Sequence, residues 1–89
     1  VNKDRRKQLT KIAADISELG VLTDDLKERL QTVLDEEQEA FDNLPEGFQS
    51  ADRGEQMQSA IDVMEGAVNE LSEIDLEGIA LSILSICER

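Results

Sequence analysis

"FDNLPEGFQS", residues 41–50, holds both phenylalanines and the only proline of the chain. Its reading decides the fold, because long helix-like stretches flank it on both sides with few turn residues. Pro45 lacks a backbone donor and disfavours helix at Leu44. Gly47 can take a positive φ. A corner is therefore expected over residues 44–51. Phe41 and Phe48 flank it with Leu44 between them, and they are expected to plug the open end of a helical core.

Upstream of the corner, Leu9, Ile12, Ile16, Leu19, Thr23, Leu26, Leu30, Val33, Glu37, Ala40 and Leu44 recur in alternating steps of three and four. That is a heptad stripe. Ala13, Leu22, Leu34 and Phe41 widen it toward a bundle face. The pattern predicts one helix over about residues 3–43. Gly20, followed by Thr23 and two aspartates, has the look of a helix end and a new start. The stripe nevertheless keeps phase from Leu19 to Leu26, which favours a continuous helix.

Downstream, Ser50 or Asp52 is expected to open a second helix over about residues 52–74, with Glu55 completing a variant capping box on Asp52. Met57, Ala60, Ile61, Met64, Ala67, Val68, Leu71 and Ile74 form its apolar stripe. After Ile74 the stripe rotates by more than about 100° at 100° per residue. Either the helix breaks near residue 75, where Asp75 can cap a fresh helix over 76–88, or it continues and is buried on several sides. Eight of the twelve residues from 76 to 87 are apolar. This apolar density makes Leu76, Ile79, Ile83, Leu84 and Ile86 the expected oligomer interface. The fold class is all-α: a long, coiled-coil-like helical hairpin in a single domain over 1–89, expected to pair into a four-helix bundle.

Size and cysteine content point the same way. A chain of 89 residues buries limited surface and needs a staple or a partner. Cys87 is the only cysteine, so no intrachain disulfide is possible and the expected staple is self-association. A lone cysteine and no apolar leader fit a reducing cytoplasm. The longest apolar run is too short to cross a bilayer.

Charge is divided along the chain. Residues 1–30 hold 7 Lys/Arg and 6 Asp/Glu, whereas residues 31–88 hold 15 Asp/Glu and the single basic residue Arg53. The net charge is −12. Such a field repels nucleic acid and anionic membranes and attracts basic protein surfaces. Asp35, Glu36, Glu39, Asp42 and Glu46 lead into the corner, and Asp52, Glu55, Asp62, Glu65 and Glu70 lead out of it. Glu36, Glu39, Asp42, Glu46, Asp62 and Glu65 are the candidate partner-binding residues. The basic cluster Lys3, Arg5, Arg6, Lys7 and Lys11 lacks the aromatic interleaving of a nucleic-acid site. It is expected to pair with Glu73, Asp75, Glu77 or Glu88.

Catalysis is not expected. The chain has no histidine, tyrosine or tryptophan, so no nucleophile–base–orienter set can be assembled. Cys87 sits on the tail stripe as a buried, inert thiol. Glu37, the one acid on the first stripe, is expected to reach solvent at the bundle edge. No metal or cofactor is expected, because the acidic run at 35–39 lacks histidine partners and no segment has a calcium-loop spacing.

Residues 36–57, "EEQEAFDNLPEGFQSADRGEQM", resemble a corner found in small acidic helical-hairpin proteins encoded by phages and prophages. Those proteins share the length and two long helices around an F-D-N-x-P-E turn. The likeness is specific over about a quarter of the chain and elsewhere rests on helical pattern. It implies a phage origin and action in the host cytoplasm. The family has no settled activity, so no functional residue carries over, and the apolar tail after Asp75 departs from its usual acidic ending. The expected function is a non-enzymatic, self-associating protein-binding module, directed at a basic host protein. An acidic DNA mimic that blocks a host DNA-binding or defence protein is the alternative. A sponge for a small ligand at protomer interfaces is the second alternative.

Overall fold

The computed structural model describes residues 1–88; Arg89, the last residue of the expected 1–89 domain, lies outside the described residues. The chain is an all-α helical hairpin. Its helices are α1 (Lys3–Asp42), α2 (Glu46–Gln49), α3 (Asp52–Glu73) and α4 (Leu76–Cys87). α1 begins where the Asn2 side chain accepts the backbone N–H of Arg5 at 2.8 Å. This is an N-cap bond, and it satisfies one of the four orphan donors of the first turn. α1 then runs through Gly20 without interruption. The Thr23 hydroxyl, free to cap only at a helix start, instead donates to the Leu19 carbonyl at 2.8 Å, the back-bond of a helix interior.

The chain forms two compact units. The hairpin unit, Leu26–Glu73, holds the second half of α1, the corner and α3. Ile61, fully buried, and Leu34, 6% exposed, are its core, with Leu30, Phe41, Met57, Met64, Val68 and Leu71 half-buried around them. The terminal unit joins Val1–Asp25 to the segment from Ile74 onward. Within it α4 runs antiparallel to the first half of α1. Leu76 lies against Gly20, and Cys87 at the other end lies 3.8 Å from the Thr10 hydroxyl. Ala13 and Ala80 are its fully buried pair.

The packed stripe of α1 is not the expected one. The row spaced by seven, Leu9, Ile16, Thr23, Leu30, Glu37 and Leu44, is half-buried as foreseen. The other seam row is Ala13, Gly20, Lys27, Leu34 and Phe41, while Ile12, Leu19, Leu26, Val33 and Ala40 are exposed. The physical reason is close approach. A side chain at Gly20 would bring its Cβ within 3.4 Å of the Leu76 Cβ, and Ala13 and Ala80 are small enough to be sealed completely. In the terminal unit these small residues on one flank let α4 come in there, which turns Ile12 and Leu19 outward.

The corner also corrects the expectation. It contains a helical turn, α2, entered through Pro45 at φ −57° and ψ 146°. No described glycine has a positive φ, so Gly47 does not supply the bend. Phe48 is 58% exposed and is no core plug; only Phe41 is half-buried. The Gln49 amide closes the corner instead, donating to the carbonyls of Phe41 at 3.3 Å and Leu44 at 3.2 Å. Gly54 is the buried residue here, because a Cβ on it would stand 2.6 Å from the Phe48 carbonyl oxygen. Neither Ser50 nor Asp52 caps α3 in the expected way. The N-cap position falls on Ala51, whose carbonyl accepts the Glu55 N–H at 3.0 Å and which has no side-chain oxygen to offer. Asp52 and Glu55 lie inside the first turn, where their charge suits the helix dipole.

Between α3 and α4 the helix is interrupted at residues 74–75. Asp75 caps α4, its carboxylate accepting the Gly78 N–H at 2.9 Å. Among the described residues, no helix is long and apolar enough to cross a membrane.

Candidate interaction surfaces

Two surfaces remain once the seams are formed, one acidic and one apolar. The acidic surface belongs to the hairpin unit, where residues 26–73 hold 13 Asp/Glu against 3 Lys/Arg, a net charge of −10. Helix periodicity sorts its carboxylates by side. Gln31 and Leu34 of α1 line a groove with Glu65, Val68 and Asn69 of α3. Asp35 and Asp42 border that side on α1, and Asp62 borders it on α3. Glu36 falls on the opposite side of the pair, Glu39 lies on the face of α1 remote from α3, and Glu46 sits in α2. All six expected partner-binding residues are exposed. The structure gathers Asp42, Asp62 and Glu65 on one side and separates Glu36, Glu39 and Glu46 from them.

Glutamines order this side. Gln31 donates to Asp35 at 2.9 Å, Gln38 to Asp42 at 3.0 Å and Gln58 to Asp62 at 2.9 Å. Each is an i,i+4 pair on a helix surface, which restrains both side chains. Asp35 and the three glutamines were not singled out as site residues. Their signal was present as the repeated Gln-x-x-x-Asp spacing in residues 31–35, 38–42 and 58–62.

The apolar surface is clearest in the terminal unit. Ile12 and Leu19 on α1 and Ile79 and Ile86 on α4 are between 41% and 51% exposed. In an antiparallel pair whose seam uses Ala13 and Gly20 on one helix and Ala80 and Cys87 on the other, the opposite flanks of both helices fall on the same side. Of the expected oligomer-interface residues, Ile79 and Ile86 lie on this face. Leu76, Ile83 and Leu84 are half-buried in the packing of α4 itself. Ile12 and Leu19 belong to the face and were expected in the core instead.

The remaining candidates are local. Cys87 is half-buried rather than sealed, with its thiol 3.7 Å from the carbonyls of Arg6 and Ile83. Glu37 is half-buried on the seam row of α1. Lys11 pairs with Asp15 at 2.8 Å, one turn along its own helix, instead of reaching the acids of α4. The hydrogen bond from Lys11 to Asp15, reinforced by the carboxylate's charge, raises the Lys11 pKa above its ordinary 10.5. Among the described residues, no group of three or more His, Cys, Asp or Glu side chains is arranged to hold a metal ion. No protein-family model matches the chain, and neither the curated proteins nor the solved structures contain a significant match.

Proposed function

We propose that this chain is a self-associating, non-enzymatic protein-binding module, and that it is phage-encoded and acts on a protein of the host cytoplasm. The phage origin rests on the resemblance of residues 36–57, and one observation carries the binding role. Among the described residues, the fully packed apolar core is Ala13, Leu34, Ile61 and Ala80, while thirteen large apolar side chains stand exposed. Surface of that kind is used by binding, to a copy or to a partner. The charge division gives the two kinds of binding separate places: apolar contact through the terminal unit, and attraction of a basic surface through the hairpin unit.

The glutamine-held carboxylates favour one more specific version, the acidic DNA mimic. Asp35, Asp42 and Asp62 are held in place before any partner arrives, which lowers the ordering cost of binding. The test is salt-dependent binding to a basic partner, in competition with duplex DNA. Changing Glu36, Glu39, Asp42 and Asp62 to Gln or Asn keeps the fold, since all four are exposed. It slows association and flattens the salt dependence. Changing Lys3, Arg5 and Arg6 to Gln leaves binding intact. The opposite pattern, with binding lost through the basic changes alone, would overturn the reading and make the negative surface a solubilising one.

A further inference from the structure

The hairpin corner holds an aromatic ring mostly in water. Phe48 is 58% exposed, and it is one of only two aromatic residues in the chain. The corner closes without that ring. The Gln49 amide bridges the carbonyls of Phe41 and Leu44, and Phe41 supplies the half-buried aromatic. A ring left in water forgoes the burial that makes aromatics valuable in a core.

The backbone beneath the ring is fixed. The Phe48 N–H donates to the Pro45 carbonyl at 2.8 Å, and the Phe48 carbonyl accepts the Ala51 N–H at 3.2 Å. The same carbonyl sits against Gly54 of α3, too close to admit a Cβ there. Only the ring's own side-chain torsions are left to be ordered when something covers it, so the entropic cost of covering it is low. Val63 is more exposed, at 72%, but it is a smaller side chain with less area to bury.

The corner that carries the ring is acidic. Residues 41–56 hold Asp42, Glu46, Asp52 and Glu55 against Arg53 alone, a net charge of −3, and all five side chains are exposed. Asp52 and Glu55 line an open depression on the first turns of α3 with Gln56 and Ser59.

We propose that Phe48 is the anchor of a docking surface for a separate protein and inserts into an apolar patch bordered by lysine or arginine. The proposal rests on the basic-partner reading above and names the contact that would carry it. Charge complementarity selects the occupant. Interfaces gather aromatic side chains at their centre and polar groups at their rim, and a rim of carboxylates favours a partner rim of the opposite sign. The same corner of a second copy would set four carboxylates against four. An anionic membrane surface is disfavoured by the same repulsion.

The probe is a labelled amphipathic helical peptide of leucine and lysine, which presents an apolar face bordered by positive charge. The full chain is expected to bind it. Phe48→Ala is expected to weaken that binding at least ~10-fold, with its helical circular dichroism intact, because the ring is mostly exposed. Val63→Ala is expected to change nothing. A serine–lysine peptide of equal charge should bind more weakly and ignore Phe48→Ala. The chain has no tryptophan, so Phe48→Trp reports the site directly. Its emission should move to shorter wavelength as the leucine–lysine peptide binds, whereas that of Val63→Trp should stay. Binding that survives Phe48→Ala but weakens with Glu46→Gln and Asp52→Asn, or equal emission shifts at the two positions, overturns the anchor while the basic-partner reading stands. Equal binding of a leucine–glutamate peptide, or no binding of either lysine peptide, overturns both. If Phe48→Ala dissociates an oligomer of the chain itself in sedimentation, a second copy covers the ring and the proposal falls.

Discussion

The hairpin unit and the terminal unit are built on one plan and filled differently. In each, two antiparallel helices meet along a shared row spaced by seven and one flanking row. In the hairpin unit the inward flank is bulky where α1 meets α3, with Leu34 and Ile61 in its core, and the surface is crowded with acid. In the terminal unit the inward flank is small, with Ala13, Gly20 and Ala80, and the bulky aliphatic residues face out. In the terminal unit, residue size on a flank, more than hydrophobicity along the stripe, decides which side α1 turns to its neighbour. A close approach through alanine and glycine leaves leucine and isoleucine for another surface.

The sharpest way to break the comparison is at the hairpin core. Ile61→Asp puts a charge at the one large side chain that is fully buried among the described residues. An unpaired buried charge costs several kcal/mol, on the order of the whole stability of a small domain. Cooperative melting and most helical circular dichroism should be lost. Leu30→Asp, on the half-buried seam row of α1, should do the same with a smaller loss. A wild-type melting curve for either would mean that the hairpin core is not where the structure places it.

The next largest effect is expected at Gly54. Its Cβ would meet the Phe48 carbonyl oxygen at 2.6 Å, and backbone cannot move aside as a flexible side chain can. Gly54→Ala should cost about 1–3 kcal/mol, the usual range for overpacking, despite alanine's better helix propensity. Gly66→Ala is the control, because nothing lies within 4 Å of a Cβ there. It should stabilise by up to about 1 kcal/mol. Equal shifts in melting temperature for the two would remove the close approach at the corner.

These two glycines show what could be read in the sequence and what could not. The heptad steps, the corner at Pro45 and the cap at Asp75 are local signals, and each appears near its expected place. The choice of inward flank is not local. Ile12 and Ala13 both lie beside the shared row, and only the closeness of α4 decides between them. Gly54 likewise gains its meaning from the backbone of α2 folding over it. Among the acidic residues, periodicity alone could separate Glu36 from Asp42 and Asp62 once the seam is known, but the seam had first to be chosen.

A smaller effect tests the terminal unit. Asp75→Ala removes the side chain that accepts the Gly78 N–H, and loss of an N-cap costs about 1 kcal/mol. The loss should show as faster amide exchange in α4 with little change in α3. Uniform acceleration through both helices would mean that the two units do not respond separately. The least effect is expected at Lys11. Its partner Asp15 raises its pKa above 10.5. The pair's stabilisation is therefore complete below the unfolded value near 10.5 and is lost as pH rises through the raised folded value. Both side chains are well exposed, so melting temperature should be flat between about pH 7 and pH 9, with only a slight fall above pH 10.5.

The central claim is that the aliphatic surface left outside the seams is covered by association. Thermal melting across about a hundredfold range of protein concentration tests it most directly. A folded state that exists as an association gives a melting temperature that climbs steadily with concentration. A wild-type melting temperature independent of concentration, with a cooperative transition at the lowest concentration, would contradict it: the chain would then hold its fold alone with its aliphatic face open to water.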